Sequence, residues 1–392
     1  MPKARTSTPR SNTLELVVSS AAATRLEAAR HWLSRLPRDS EALILAPHGH
    51  AATEIVRAGV AESGTRFGLQ RFTLDRFAAR LALPELARNG TASATSLSLV
   101  AVVTRAVHHL LESGEAGRFA AIARRPGFPH AVVRTWHELR GAGLSGVTLE
   151  ATKGGDGGLA AILERTEREL AEMKLADRAE IFRVARAAIE RGEGFSDVAV
   201  LLLDVPLNEW IECDLVAALM RRAPRGLATA AAGDGASILA YREMLGVPET
   251  SPDGSAASNS LALLQRHLFE DTGPAPRALD PSVALASWPG EARECVEIAR
   301  RIQAEAADGV RFDRMAILLR APASYRAHIE EALRRAAIPA HFARGTRRPD
   351  PAGRALLALL ACRAQDLSAR RFAEYLSLAQ VPDPPAGSEE PW

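Results

Sequence analysis

Val198–Asp204 reads VAVLLLD, an unbroken apolar run closed by a single carboxylate. A run without polar alternation has no wet face, so it predicts a strand buried on both sides within a parallel sheet. Leu14–Ser19 (LELVVS) and Ala42–Ala46 (ALILA) read as two more short strands, with Gly68–Phe72 and Leu227–Ala232 beside them. Between them apolar residues recur at helical spacing over Ala21–Leu36, Ala51–Ala61 and Leu74–Leu83, the last with Thr73 placed to cap it. Strands alternating with helices predict an α/β fold with a parallel sheet.

From Ser96 to Arg191 the strand signal stops, and only helical periods broken by Gly and Pro remain. Residues 247–282 are rich in Ser, Pro, Gly and Asp around one short helix, the composition of an interdomain linker. Beyond it the alternation resumes: strands at Ser282–Ser287, Met315–Arg320 and Ala340–Ala343, helices at Glu291–Ala307 and Ser324–Ala336, then two more helices. The expected plan is a polar tail over 1–13, a first α/β domain from 14–95 and 192–246, an all-helical insertion over 96–191, the linker, and a partial second α/β domain over 283–392.

With 392 residues the chain exceeds what one core usually serves, which agrees with that plan. It is 47% hydrophobic and 24% charged with net charge +2, which excludes general disorder and an indiscriminate polybasic coat. Any nucleic-acid contact must therefore be local. Cys213, Cys295 and Cys362 are odd in number and lack CxxC spacing, which argues against a disulfide framework or zinc knuckle and fits a reducing cytoplasm. No apolar run approaches the roughly 18 residues of a membrane helix, and residues 1–13 carry no signal-peptide core, so a cytoplasmic protein without membrane contact is expected. Of 49 basic residues only Lys3, Lys153 and Lys174 are lysines, which leaves 46 arginines.

The segment Glu291–Leu360, with EARECVEIARRIQAEAADGVRFDRMAILLRAPASYRAHIEEALRRAAIPAHFARG, resembles the start of the second motor domain of UvrD-like superfamily 1 helicases. It resembles more closely the helicase-like half of AddB-type helicase–nuclease subunits. The resemblance implies a P-loop, RecA-like parallel sheet with an all-helical insertion, followed by the start of a second RecA-like domain. It places Arg320, which ends the MAILLR strand, at the position that reaches the γ-phosphate or the interdomain cleft. Ala42–Gly59, containing His48, resembles the family's strand-loop-helix that contacts single-stranded DNA, and Gln70–Leu81 (QRFTLDRFAARL), with Thr73 and Arg76, resembles the next motif. Thr135–Leu149 resembles the family's helical insertion, and Asp177 in LADRAEIF falls on its D-x-x-D/E helix. The basic loop Arg344-Gly-Thr-Arg347-Arg348 reads as a phosphate grip following a strand. Single- or double-stranded DNA and a catalytically active AddA-type subunit are the partners implied.

The motor chemistry is missing residue by residue. A working phosphate loop needs glycines, a lysine and a Ser/Thr hydroxyl on magnesium. Here Val18-Ser-Ser-Ala-Ala-Ala23-Thr24-Arg25 has no glycine, puts Ala23 where the lysine belongs, and keeps only Thr24. Asp204 preserves the magnesium-binding aspartate type, but Val205 replaces the glutamate that orients attacking water. Ala232-Gly233-Asp234 is followed by GASILAY, without the sensor glutamine. ATP hydrolysis is therefore not expected, no cofactor is assigned, and ATP with magnesium enters only if the degenerate site still binds it. The one E-x-K triplet, Glu172-Met173-Lys174, falls in a helical period, whereas a PD-(D/E)XK nuclease carries it on a strand. His48-Gly49-His50 lacks a third metal ligand at plausible spacing. The leading expectation is a non-hydrolysing, helicase-like DNA-binding and scaffold module for double-strand-break processing. The alternatives are a divergent ATP-dependent helicase fragment and a protein-interaction module that reuses the fold.

Overall fold

The structure is a computed structural model that describes residues 13–64, 67–146, 157–195, 198–252, 259–268, 273–343 and 351–378. The strands are β1 (Thr13–Ser19), β2 (Ala42–Leu45), β3 (Leu69–Phe72), β4 (Ala92–Ser93), β5 (Leu175–Ala176), β6 (Ala199–Leu203), β7 (Arg225–Ala231) and β8 (Glu249–Thr250). Six of them form one sheet in the order β3-β2-β6-β7-β1-β8, and every neighbouring pair is parallel. The fold is α/β with a parallel sheet, as the alternation predicted, and the order is consistent with a RecA-like domain.

The helices of this unit are α1 (Ala22–Ser34), α2 (Gly49–Ser63), α3 (Leu74–Arg88), α4 (Ser96–Ser113), α5 (Phe128–Gly141), α6 (Gly157–Glu172), α7 (Arg178–Glu190), α8 (Trp210–Arg222), α9 (Gly235–Leu245) and α10 (Ser260–His267). The period-2 pleat divides the apolar residues of each strand between two faces. Val17, Ile44, Leu201, Leu203 and Leu227 pack with Ala29, Trp32 and Leu33 of α1 and Ile55 of α2. Leu16, Val18, Leu43, Leu45, Val200 and Leu202 pack on the other face with Phe77 and Leu81 of α3, Phe182 and Ile189 of α7, Leu215 of α8 and Tyr241 of α9. Both faces are thus covered at the centre of the sheet, which is why β2 and β6 show unbroken apolar runs, whereas β3 at the end of the strand order exposes Gln70 and Arg71.

The insertion needs two corrections. Among the described residues the helical bundle consists of α4, α5 and α6, whose core is built from Val102, Val103, Leu110, Val132, Trp136, Ile162 and Leu163. Helix α7, expected to close the insertion, instead lies in the layer beneath the sheet, because Ala179, Phe182, Ala185 and Ile189 form a stripe that the sheet and α3 bury. The stretch 96–191 is also not free of strands, since β5 pairs in parallel with β4 through Ala92↔Leu175 and Ser93↔Ala176. This two-residue ladder closes the root of the bundle and is too short for period-2 patterning to announce.

Within the expected linker, α10 is tied down rather than loose. The Asp280 carboxylate accepts from the Ser260 N–H at 2.7 Å and the Ser260 hydroxyl at 2.8 Å, and also from Ser282. These bonds to the ionised form hold the Asp280 carboxyl well below its ordinary range.

The chain divides into two compact units at Ala284/Leu285. The second contains α11 (Glu291–Ala307), α12 (Pro322–Arg335), α13 (Pro351–Ala364) and α14 (Ala369–Leu378). Its core joins Cys295 and Ala299 of α11 to Ile329 and Leu333 of α12, with Ile317 and Leu319 against them. The three strands expected here are corrected: among the described residues Ser282–Ser287, Met315–Arg320 and Ala340–Ala343 form no ladder. Alternate residues of Met315–Leu319 do face the helices, but Leu318 is 93% exposed and Leu285 90% exposed. A parallel ladder is stable when both its faces are covered, and here one face is bare.

Candidate functional site

At the carboxyl ends of β6, β7 and β1 a part-buried ion pair, with Arg25 inside and Asp204 half-buried, organises the turn between β1 and α1. Ser19 ends β1 and its hydroxyl accepts the Ala21 N–H at 3.0 Å, leading into α1 with Ala21 as an N-cap that offers no side-chain acceptor. Arg25, in the first turns of α1, is 7% exposed. Its Nε donates to Asp204 Oδ1 at 2.9 Å and Oδ2 at 3.1 Å, and its Nη1 donates to the Ser19 carbonyl at 2.6 Å. Asp204 follows β6 with φ 48°, in the left-handed region that a non-glycine residue enters only when neighbours hold it. Thr229 of β7 supplies that hold: its Oγ1 accepts the Asp204 N–H at 3.0 Å and its hydroxyl donates to Asp204 Oδ1 at 2.7 Å.

Val205 turns inward, and its carbonyl accepts the Tyr241 hydroxyl at 2.7 Å. Burial, followed by the charges of Asp204 and Asp234, pushes the Tyr241 phenol well above its ordinary value, so it stays a neutral donor. Asp234 caps α9 by accepting from the Ser237 N–H at 3.1 Å, and the Ser237 hydroxyl accepts from the Leu207 N–H at 2.9 Å. Every polar group singled out in this sensor-like stretch serves the backbone.

A second constellation lies at the carboxyl ends of β2 and β3, the end of a parallel sheet where α/β proteins hold ligands. A cleft of about 420 Å³ is lined by Gly49, Arg71, Thr73, Arg76, Arg80 and Leu83, with Phe72 and Leu86 among its apolar surface. Arg76, Arg80 and Leu83 recur at helical spacing and give α3 one basic, apolar-edged face. The acids of α3 point elsewhere: Asp75 pairs with Arg178 at 2.7 Å and Glu85 with Arg191 at 2.8 Å. Among the described residues Arg76 and Arg80 consequently have no carboxylate partner, and the side chain of Arg71 makes a 3.4 Å contact to the Thr53 hydroxyl. The N-terminus of α2 opens beside them with its positive dipole end, capped by no side chain of His48.

The expected site residues separate into groups. Thr73 and Arg76 line the cleft, and His48 is exposed next to Gly49 at its border. Thr73 is also the cap of α3, its side chain accepting from the Arg76 N–H at 3.4 Å. Thr73→Ala is therefore expected to cost about 1 kcal/mol of stability in urea unfolding, while Thr73→Ser retains it. Asp204 stands in the ion-pair network, whereas Thr24 takes no part in it. Arg320 belongs to the second unit, exposed after Met315–Leu319. Arg344, Arg347 and Arg348 lie outside the described residues. Asp177 caps α7 and accepts from Trp136 Nε1 at 3.0 Å and Arg140 Nε at 3.1 Å, a joint between bundle and sheet layer.

Sequence reasoning missed Arg25, Arg71 and Arg80. For Arg71, Arg76 and Arg80 the signal was present as a basic face in QRFTLDRFAAR. For Arg25 there was none, because it stands in a helix whose other charged residues, Glu27 and Arg30, look alike in sequence.

No family model matches this chain, and no curated protein matches it. Among the described residues no helix is long and apolar enough to cross a membrane.

Proposed function

We propose that the chain is a nucleic-acid-binding module that does not hydrolyse ATP, and that its DNA contacts are made at the cleft between α2 and α3. The observation that carries this reading is the convergence of Arg71, Arg76 and Arg80, without carboxylate partners among the described residues, on one cleft at the carboxyl ends of β2 and β3. Guanidinium groups of this kind grip phosphate, and the apolar surface of Phe72, Leu83 and Leu86 suits a base or sugar rather than a second charge. With net charge +2 over the whole chain, such binding is local.

The motif resemblance extends the proposal: a cytoplasmic, AddB-like scaffold that holds DNA beside an AddA-type motor during double-strand-break processing. Reading the chain as a divergent ATPase is less well supported, because Arg25 neutralises the one carboxylate that would hold magnesium. Fluorescence anisotropy with labelled oligodeoxythymidine and its mixed-sequence counterpart tests the proposal. Expected is sequence-tolerant binding that weakens steeply with salt, and absence of binding at low salt would overturn it.

A further inference from the structure

Arg25, Ser19, Asp204 and Thr229 form a connected set of charges and hydrogen bonds joining the carboxyl ends of β1, β7 and β6. We propose that the Arg25 guanidinium is the resident cation of this site: a tethered side chain that takes the position a metal ion would need beside Asp204. The carboxyl end of the sheet's central strands is thereby fixed without metal or nucleotide, and the chain's other activities are independent of both.

Four observations support this. The guanidinium is buried, and a buried charge is retained only where partners satisfy it. Its Nε lies within hydrogen-bond reach of both Asp204 oxygens, and its Nη1 reaches the Ser19 carbonyl, so two donors held in one rigid plane serve partners after two different strands. Asp204 adopts a left-handed backbone conformation with its carboxylate fixed by Thr229 as well, so the acceptor is aimed at the guanidinium before any ligand arrives. The helix that brings Arg25 begins without glycine, and its N-cap Ala21 has φ −88°, so the backbone is not shaped as a phosphate cradle. A divalent cation at Asp204 would have to displace a covalently tethered positive charge.

The test uses thermal unfolding of the full chain and involves no DNA, so its failure is distinct from failure of the nucleic-acid reading. Arg25→Ala is expected to lower the midpoint by roughly 5 °C or more, since it leaves Asp204 without its cation. Guanidinium ion at low millimolar concentration, far below denaturing levels, should restore part of that loss where equal urea does not. The double variant Arg25→Ala/Asp204→Asn should not respond. Magnesium with ADP should leave the wild-type midpoint unchanged. A wild-type midpoint raised by magnesium and ADP, an unaltered midpoint in Arg25→Ala, or equal effects of guanidinium and urea would each overturn the assignment. Should Arg25→Ala not fold, Arg25→Lys carries the test: it keeps the charge and loses the fork, and a wild-type midpoint would refute the guanidinium's role.

Discussion

Arg76→Ala/Arg80→Ala is expected to weaken single-stranded DNA binding on the order of 100-fold at low salt and to flatten the log-log salt dependence by about 1.4 units. The size follows from two charge-assisted contacts to phosphate, each of about 1.5 kcal/mol, and from the release of roughly 0.7 counterion per arginine on a single strand. Both residues lie on the cleft face of α3 and neither pairs with a carboxylate among the described residues, so their removal leaves no orphaned acid and spares the fold. Arg183→Ala is the matched control. That arginine is held by Glu180 at 2.6 Å on the exposed side of α7, and its loss should leave affinity and slope as they are. The decisive measurement is anisotropy across a salt series on both variants. Equal affinity and equal slope in the double variant and the wild type would remove the cleft from the binding surface.

Much of the first unit was legible because its strands are buried on two faces. Where both faces are covered a strand must be apolar throughout, and ALILA and the AVLLL of VAVLLLD say so directly, while LELVVS departs from this only at Glu15 near the exposed start of β1, where it pairs with Arg35, and at Ser19. Thr73 was legible for a local reason, since a cap lies next to the helix it serves. What escaped depends on partners distant in sequence. The stripe Ala179, Phe182, Ala185, Ile189 identifies an amphipathic helix, but nothing in it says whether a bundle or a sheet receives the stripe. Arg25 acquires its role from a carboxylate 179 residues away. MAILLR is a continuous apolar run of the kind a buried strand shows, yet a ladder also needs a neighbour and cover on both faces, and Leu318 stands in the open. Arg76 and Arg80 could be placed on one face from spacing, but their being unpaired rests on Asp75 and Glu85 turning toward Arg178 and Arg191.

Trp136→Ala is expected to be the most damaging single change, lowering stability by about 3–5 kcal/mol. Trp136 is 1% exposed and is among the largest side chains of the bundle core. Its indole N–H also donates to Asp177 Oδ2, the residue that caps α7. Alanine would leave a large cavity and deprive a buried carboxylate of one donor, so packing and electrostatic penalties arise at a single site. The two are separable. Trp136→Phe fills most of the volume but removes the N–H, and should cost about 1–3 kcal/mol, with Arg140 still pairing Asp177 at 3.1 Å. Asp177→Asn keeps an acceptor for the Glu180 N–H while discharging the pair with Arg140, and should fall in the same range. Urea unfolding followed by far-ultraviolet circular dichroism orders the three variants. If Trp136→Phe were as costly as Trp136→Ala, the hydrogen bond to Asp177 and not the filled core would hold the bundle to the sheet layer. If Trp136→Ala cost less than about 1 kcal/mol, the bundle would not unfold together with the sheet, and the joint through Asp177 would lose its assigned role.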